Sequence, residues 1–447
     1  MNDTTVLKRQ LSGLPDLLKL HALQPERYPF LLESAAHGTA QGRYSILFAF
    51  PGEVIESGPG KNFFDCLDAD WRQQGVAQTD TPDPLPFTGG WFLYLGYEAA
   101  GLVEPHLQLP KDPGQPAAWA VRVPAGIILD HIECCTWLVT EPDQPERLDI
   151  MQEALSRAES GERSMASGEL LRAPLEEEAP AAYCQAVEAA KQYIHDGDVF
   201  QANLSRAWTG ELRADLDPVD VYRRLRQSNP GPFAGLARRG DRAIISSSPE
   251  RLVSRRGNRV DTRPIAGTRP RGDGRDPDEA LRQELIGHPK ERAEHIMLID
   301  LERNDLGRIC TAGSVEVSEL MVLESYAHVH HIVSNVRGEV RPDISPGEIL
   351  QAVFPGGTIT GCPKVRCMEI IGELEGRPRG AYTGALGYLN RDGSLDSNIL
   401  IRTMETRGQS LRLLAGAGIV ADSIPERELD ETRAKARGMI LALQDTA

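Results

Sequence analysis

No run of eighteen uninterrupted apolar residues occurs in this 447-residue sequence, and its opening, MNDTTVLKRQLSGLPDLLKL, is broken by charge. Neither a membrane span nor a secretory leader is therefore expected. Positive charge is also in deficit. The formal net charge of -16 repels nucleic acid and anionic membrane surfaces over most of the protein, so neither is an expected partner. Cysteine is sparse: Cys66, Cys134, Cys135, Cys184, Cys310, Cys362 and Cys367 make an odd number and lack the C-x-x-C pairs of a zinc site. They read as reduced thiols of a cytoplasmic protein. No internal repeat with a period of about 20–50 residues is evident. A P-loop is excluded, because Lys364 follows Pro363 and precedes Val365, which breaks the G-x-x-x-x-G-K-[ST] spacing.

What is present is ordinary globular composition, 40% hydrophobic and 26% charged, in a chain long enough for two or three domains or one large intertwined one. From Tyr28 to about Thr140, short β-like runs such as GRYSILFAF, GGWFLYLGYE and CTWLVT alternate with Gly and Pro breaks. A polar, acidic stretch from Ala158 to Pro180 has no sustained period and reads as a linker, its EEE run as a solvated spacer. The expected division is a sheet-rich region 1–157, a linker 158–180 and a catalytic domain 181–447. Beyond the linker, Tyr183, Val187, Ala190 and Ile194 form one helical stripe, followed by the alternating strand VFQANLSRAW. Helices and strands then mix without a strict βαβ rhythm, which points to the α+β class.

Two pairs of glutamates stand out: Glu291 with Glu294, and Glu428 with Glu431. Each pair is spaced i, i+3 and so shares one helix face, in helices expected to open at Pro289 and near Ser423–Pro425. Either pair alone also fits a solvated face. Four carboxylates brought together would need a cation, and an all-oxygen donor set suits Mg2+, Mn2+ or Ca2+. The run PGGTITGCPK places glycines and Thr358 before a helix starting near Pro363, an anion-binding arrangement. AGAGIVADS offers a second glycine-rich turn at Gly416 and Gly418, although bulges and tight turns use the same residues. Arg402, in the strand-like ILIRTM, could clamp a carboxylate. Lys435 is either that kind of cation or the i+4 partner of Glu431. His331 competes with His330 for an inward position. Glu250, at the break in SSSPERL, could be a general acid if buried, or pair with Arg251 or Arg255.

KERAEH, DLxRND, HHIVS, PGGTITGxPKVRxMEII, GYL, IRT and GAGIVADS occur in that order between Tyr183 and Leu443, and together they resemble the chorismate-utilising enzymes. The resemblance implies an α+β, anthranilate synthase component I-like sandwich of two stacked antiparallel sheets flanked by helices. It implies Mg2+ bridging Glu294, Glu431 and the substrate's ring carboxylate, with Glu291 and Glu428 behind. Glu250 would protonate the departing 4-hydroxyl beside His331. Ala266, Gly267, Thr268, Thr358, Tyr382, Arg402, the Gly416–Ala417–Gly418 backbone and Lys435 would line the substrate. Glu33 and Ser34, in LLES, resemble a tryptophan-binding segment of the family, and the resemblance adds Asn229, Pro230 and Phe233 to it.

Within that family, water-using members carry a lysine base where this chain has Gln201, and a glutamine cannot take a proton. The resemblance therefore implies ammonia as nucleophile. FQANLS, NPGPFAG, GGWFLYLGYE and PGGTITG resemble the aminodeoxychorismate branch of folate synthesis. PIAGT, with Ala266 where many members of that branch have lysine, resembles the anthranilate branch. The expected reaction is amination of chorismate to 4-amino-4-deoxychorismate, with the anthranilate route as its rival. A non-catalytic chorismate or tryptophan sensor would have lost a ligand or the acid, yet Glu250, Glu294, His331 and Glu431 are all present. Because the G-x-C-x-G of a glutaminase is absent, ammonia is expected from a separate glutamine amidotransferase subunit in a heterodimer, with a lyase acting downstream.

Overall fold

The computed structural model describes residues 6–35, 42–58, 60–77, 85–160, 168–271, 275–287, 289–325 and 329–444. Strand alternation decides its layers. In Tyr44–Ala49, Ile46 and Phe48 enter one core while Leu47 and Ala49 enter another; in Gly90–Leu95, Phe92 and Tyr94 separate in the same way from Trp91, Leu93 and Leu95. The shared core between the sheets is aromatic. Phe30 stacks on Phe92 at 4.2 Å between ring centroids, and Phe48 meets Phe92 edge-on at 5.1 Å. The outer faces carry the helices. Leu17, Met151, Tyr222 and Met439 cover one sheet, while Phe63 and Ile349 cover the other.

The sheets hold twelve and ten strands, and every pairing among the described residues is antiparallel. The sandwich expected from the resemblance is thus the fold observed, with eleven α-helices around it among the described residues. Both sheets draw on both ends of the chain. Phe30–Glu33 pairs with Phe233–Arg239, and Gly90–Leu95 pairs with Ala385–Asn390. Segments 1–157 and 181–447 are therefore two stretches of chain that share both sheets.

One local expectation is corrected. The EEE run is docked, not solvated spacer: Glu178 Oε2 accepts from the Ala207 amide at 2.8 Å, and Glu177 pairs with Arg433 at 2.8 Å and with the wholly buried Arg206 at 2.6 Å. The last helix, Pro425–Leu443, opens where its sequence places it. Ile424 is its N-cap, while Ser423 Oγ closes a turn by accepting from the Val420 amide at 3.0 Å.

Candidate active site

Ser248 ends the strand Arg242–Ser248, and the chain turns through Pro249 before the next strand begins at Arg251. Glu250 sits in that break. Its amide donates to Ser248 Oγ at 3.2 Å and its carbonyl accepts from Ile399 at 3.0 Å, so the backbone is fixed. The side chain is buried, and Oε1 makes no hydrogen bond; the similarly unpartnered Thr358 hydroxyl lies nearby. Burial raises the carboxyl to about 7, against the opposing pull of Thr358, the Ile265 amide, Arg402 and Lys435. Glu250 therefore holds a proton near neutral pH, as a general acid must. Neither Arg251 nor Arg255 competes for it, since Arg251 is engaged by Asp396 at 2.9 Å and Arg255 donates to the Gly257 carbonyl at 3.0 Å.

His331 lies in the strand Val329–Glu339, paired in register with Thr268. Burial first, then the charge of Arg402, pushes its imidazole down to about 3, so it is neutral. His330 is buried too, but it is committed to Ser325 at 2.7 Å and Asp278 at 2.8 Å. Arg402 does not lie in a strand, as its alternating neighbours suggested. It occupies the break before Thr403–Arg407 with a φ of +52°, a left-handed conformation uncommon for any residue but glycine. Its pKa is lowered by burial and supported by the facing Glu250.

The opposite wall is made by Gln201–Glu211 and Ser410–Ile419, paired with Asn203 opposite Gly418 and Ser205 opposite Gly416. Gly416 and Gly418 are strand residues, not a turn. What they provide is room: a Cβ on Gly416 would lie 2.7 Å from Tyr382 Oη and 2.8 Å from Asn203 Oδ1, and one on Gly418 2.5 Å from Gln201 Nε2. Ala417, between them, points into the outer core with Leu204. Lys435 is the i+4 partner of Glu431, with Nζ at 2.7 Å from its carboxylate, and it also donates to the Gly416 carbonyl at 3.0 Å.

Beneath Tyr382 lies a buried guanidinium that the sequence reading missed. Arg379 stacks 5.6 Å from the Tyr382 ring and bonds to Glu375 Oε1 and the Asn203 carbonyl, both at 2.6 Å. Arg379 and Glu375 are both almost wholly buried. Arg379→Ala would remove the buried partner of Glu375, leaving it Arg377 at 3.2 Å and Ser205, and a loss of about 3–5 kcal/mol is expected in denaturant unfolding.

In PGGTITGCPK, Gly357–Ile359 forms a 3-10 turn that carries Thr358, and the helix Lys364–Glu375 begins without a side-chain cap. Lys364 is not available to a ligand because Nζ is held by Asp305 at 2.5 Å. Asp305 and Glu302, on the helix Pro289–Gly307, were also missed. Burial and then Asp305 raise the Glu302 carboxyl to about 8.

Glu291 on one helix, and Glu428 with Glu431 on another, each meet residues of this site. Glu291 reaches over Gly267, whose φ is +73° and whose missing Cβ leaves space for that carboxylate. Gly267 in turn contacts His331 through its backbone. Glu428 and Glu431 both act electrostatically on Tyr183, and Glu431 connects to the Gly416 wall through Lys435. Among the described residues, no three acidic, His or Cys side chains are gathered closely enough to hold a metal ion. The donor chemistry fits a hard divalent cation, but the glutamates would have to draw together around it. Ala266 is half-buried and pairs with Ile332; Thr268 is placed by its backbone only, its side chain lying outside the described residues.

A separate cavity of about 290 Å³ is lined by Glu33, Ser34, Tyr44, Phe233, Arg256 and Asn398, among others. The strand Phe30–Glu33 that supplies it is interior to its sheet and is not an edge. Asn229 and Pro230 are not among its lining residues, and Asn229 donates to Ser247 Oγ at 2.8 Å.

A neutral buried acid, a buried arginine and a glycine-backed polar wall define a site for a small anionic substrate, and residues 28–441 match the chorismate binding enzymes. The chain belongs to that family. It is 45% identical to an anthranilate synthase component I-like protein of Synechocystis, over 81% of this chain and 74% of that one. It is 40% identical to aminodeoxychorismate synthase component 1 of Bacillus subtilis, over 94% and 93%. The crystal structure of anthranilate synthase component I from Streptococcus pneumoniae superposes with a TM-score of 0.76 at 34% identity, covering 90% of this chain and 93% of that one. Among the described residues, no helix is long and apolar enough to cross a membrane.

Proposed function

We propose that this member of the family aminates chorismate with ammonia to give 4-amino-4-deoxychorismate. What supports the reading is a buried Glu250 that burial raises to about 7, together with a buried Gln201, a residue unable to deprotonate water. Glu250 gives its proton to the 4-hydroxyl, which leaves as water. Neutral His331 faces that oxygen and donates or accepts a hydrogen bond without adding charge. Arg402, Lys435, Tyr382 and the Gly416–Gly418 backbone hold the two carboxylates, and Thr358 orients the acid. Glu294 and Glu431, backed by Glu291 and Glu428, would hold Mg2+, which neutralises a substrate carboxylate when bound.

Ammonia comes, on this reading, from a separate glutamine amidotransferase subunit, and a lyase converts the product to 4-aminobenzoate for folate synthesis. The cavity around Glu33 and Ser34 is read as a tryptophan seat, which calorimetric titration with L-tryptophan would test. A second reading rests on Ala266: with no lysine there to add to the ring, ammonia entering at C2 leads to anthranilate and pyruvate.

Purified protein, chorismate, Mg2+ and high ammonium, with and without aminodeoxychorismate lyase, separate the two. 4-Aminobenzoate formed only with lyase supports the proposal; anthranilate fluorescence without lyase replaces it with the second reading. Gln201→Lys is expected to yield measurable isochorismate, and none at all would count against the role given to that position.

A further inference from the structure

Resting on ammonia as the nucleophile, we propose that Asn203, beside Gln201, seats the incoming ammonia and thereby selects it over water. The two side chains stand i, i+2 on Gln201–Glu211 and so share a sheet face. They are 8% and 9% exposed, and both carboxamide oxygens are buried without a hydrogen-bond partner. Their backbone is fully engaged: the Asn203 amide donates to the Thr360 carbonyl at 2.9 Å, and Cys367 Sγ lies 3.0 Å from the Gln201 carbonyl. Opposite them, Gly416 and Gly418 are bare where any Cβ would strike these same carboxamides.

A buried amide without partners is a cost that a purely structural residue avoids. Because neither carboxamide is committed, rotation about its last torsion exchanges O and NH2 at no cost in hydrogen bonds, so each can offer an acceptor on the side that Gly416 and Gly418 leave bare. Ammonia has three N–H groups and one lone pair. Held through N–H by amide oxygens, it keeps the lone pair free for the ring. The C–N bond then forms from that pair as the C–O bond breaks, the oxygen leaves as water with the Glu250 proton, and the amine emerges as its ammonium form. Neither amide can take a proton, so water held there gains no activation.

The test is Asn203→Leu in the full-length chain, with ammonium varied at saturating chorismate. The expected result is an ammonium KM raised at least tenfold, a chorismate KM changed less than threefold, and kcat retained at saturating ammonium. Asn203→Ser, which keeps an acceptor, should recover part of the loss and serves as the working variant if the leucine form does not fold. An unchanged ammonium KM, or equal rises in both KM values, overturns the assignment while leaving amination intact. No aminated product from the unaltered chain overturns the functional reading and this inference with it.

Discussion

Glu250→Gln should lower kcat/KM for chorismate by ~10²–10⁴-fold, the range typical of a lost general acid, without unfolding the protein. The substitution is close to isosteric and replaces a carboxyl that is already neutral near pH 7. Circular dichroism and thermal unfolding would separate loss of chemistry from loss of fold. The pH profile carries an independent signature. Burial lifts Glu250 to about 7, so the active, protonated form is complete below that value and declines about tenfold per pH unit above it. The alkaline limb of kcat/KM should therefore begin near neutrality and vanish in Glu250→Gln. His331, pushed down to about 3, should contribute no acid limb between pH 5 and 7. A wild-type profile flat from pH 6 to 9 would remove Glu250 from the role of acid.

Glu431→Gln and Glu294→Gln are expected to reduce turnover by on the order of 10²-fold or more, with the residual activity no longer responding to Mg2+. In Glu431→Gln stability should barely move. The Glu431–Lys435 pair spans 2.7 Å, but both side chains are nearly half exposed, and such pairs contribute well under about 1 kcal/mol. Titration of the apo protein with Mn2+, followed by electron paramagnetic resonance, reads cation binding without relying on turnover. Unchanged Mn2+ binding and unchanged turnover in Glu431→Gln would remove that residue from the metal site.

Features legible in the sequence are those in which periodicity and chemistry coincide. Glu291 and Glu294, Glu428 and Glu431, and the Tyr183–Val187–Ala190 stripe all lie in the helices their spacing implied. Conformation and tertiary neighbours were less legible. Arg402 reads as a strand residue because Ile401 and Thr403 alternate around it, and nothing in ILIRTM signals a positive φ. Gly416 and Gly418 read as a turn because glycine serves both sharp turns and close approach; only Tyr382, Asn203 and Gln201 across the strand reveal which use applies. The helix Phe63–Gln74 was passed over inside a stretch read as sheet. GWFLYL is buried on both faces, so its apolar run hides the alternation that would have located the two cores.

The interleaving of the sheets also bears on biosynthesis. A strand made early, Gly90–Leu95, cannot complete its ladder until Ala385–Asn390 has left the ribosome, and the same holds for Phe30–Glu33 and Phe233–Arg239. Most of the chain is thus synthesised while apolar strand edges wait for partners several hundred residues downstream, the condition under which folding is slow and unprotected edges aggregate. Production of this protein should therefore respond strongly to lower temperature and to added chaperones, and fragments cut within 158–180 should be recovered in soluble form only when both are made together.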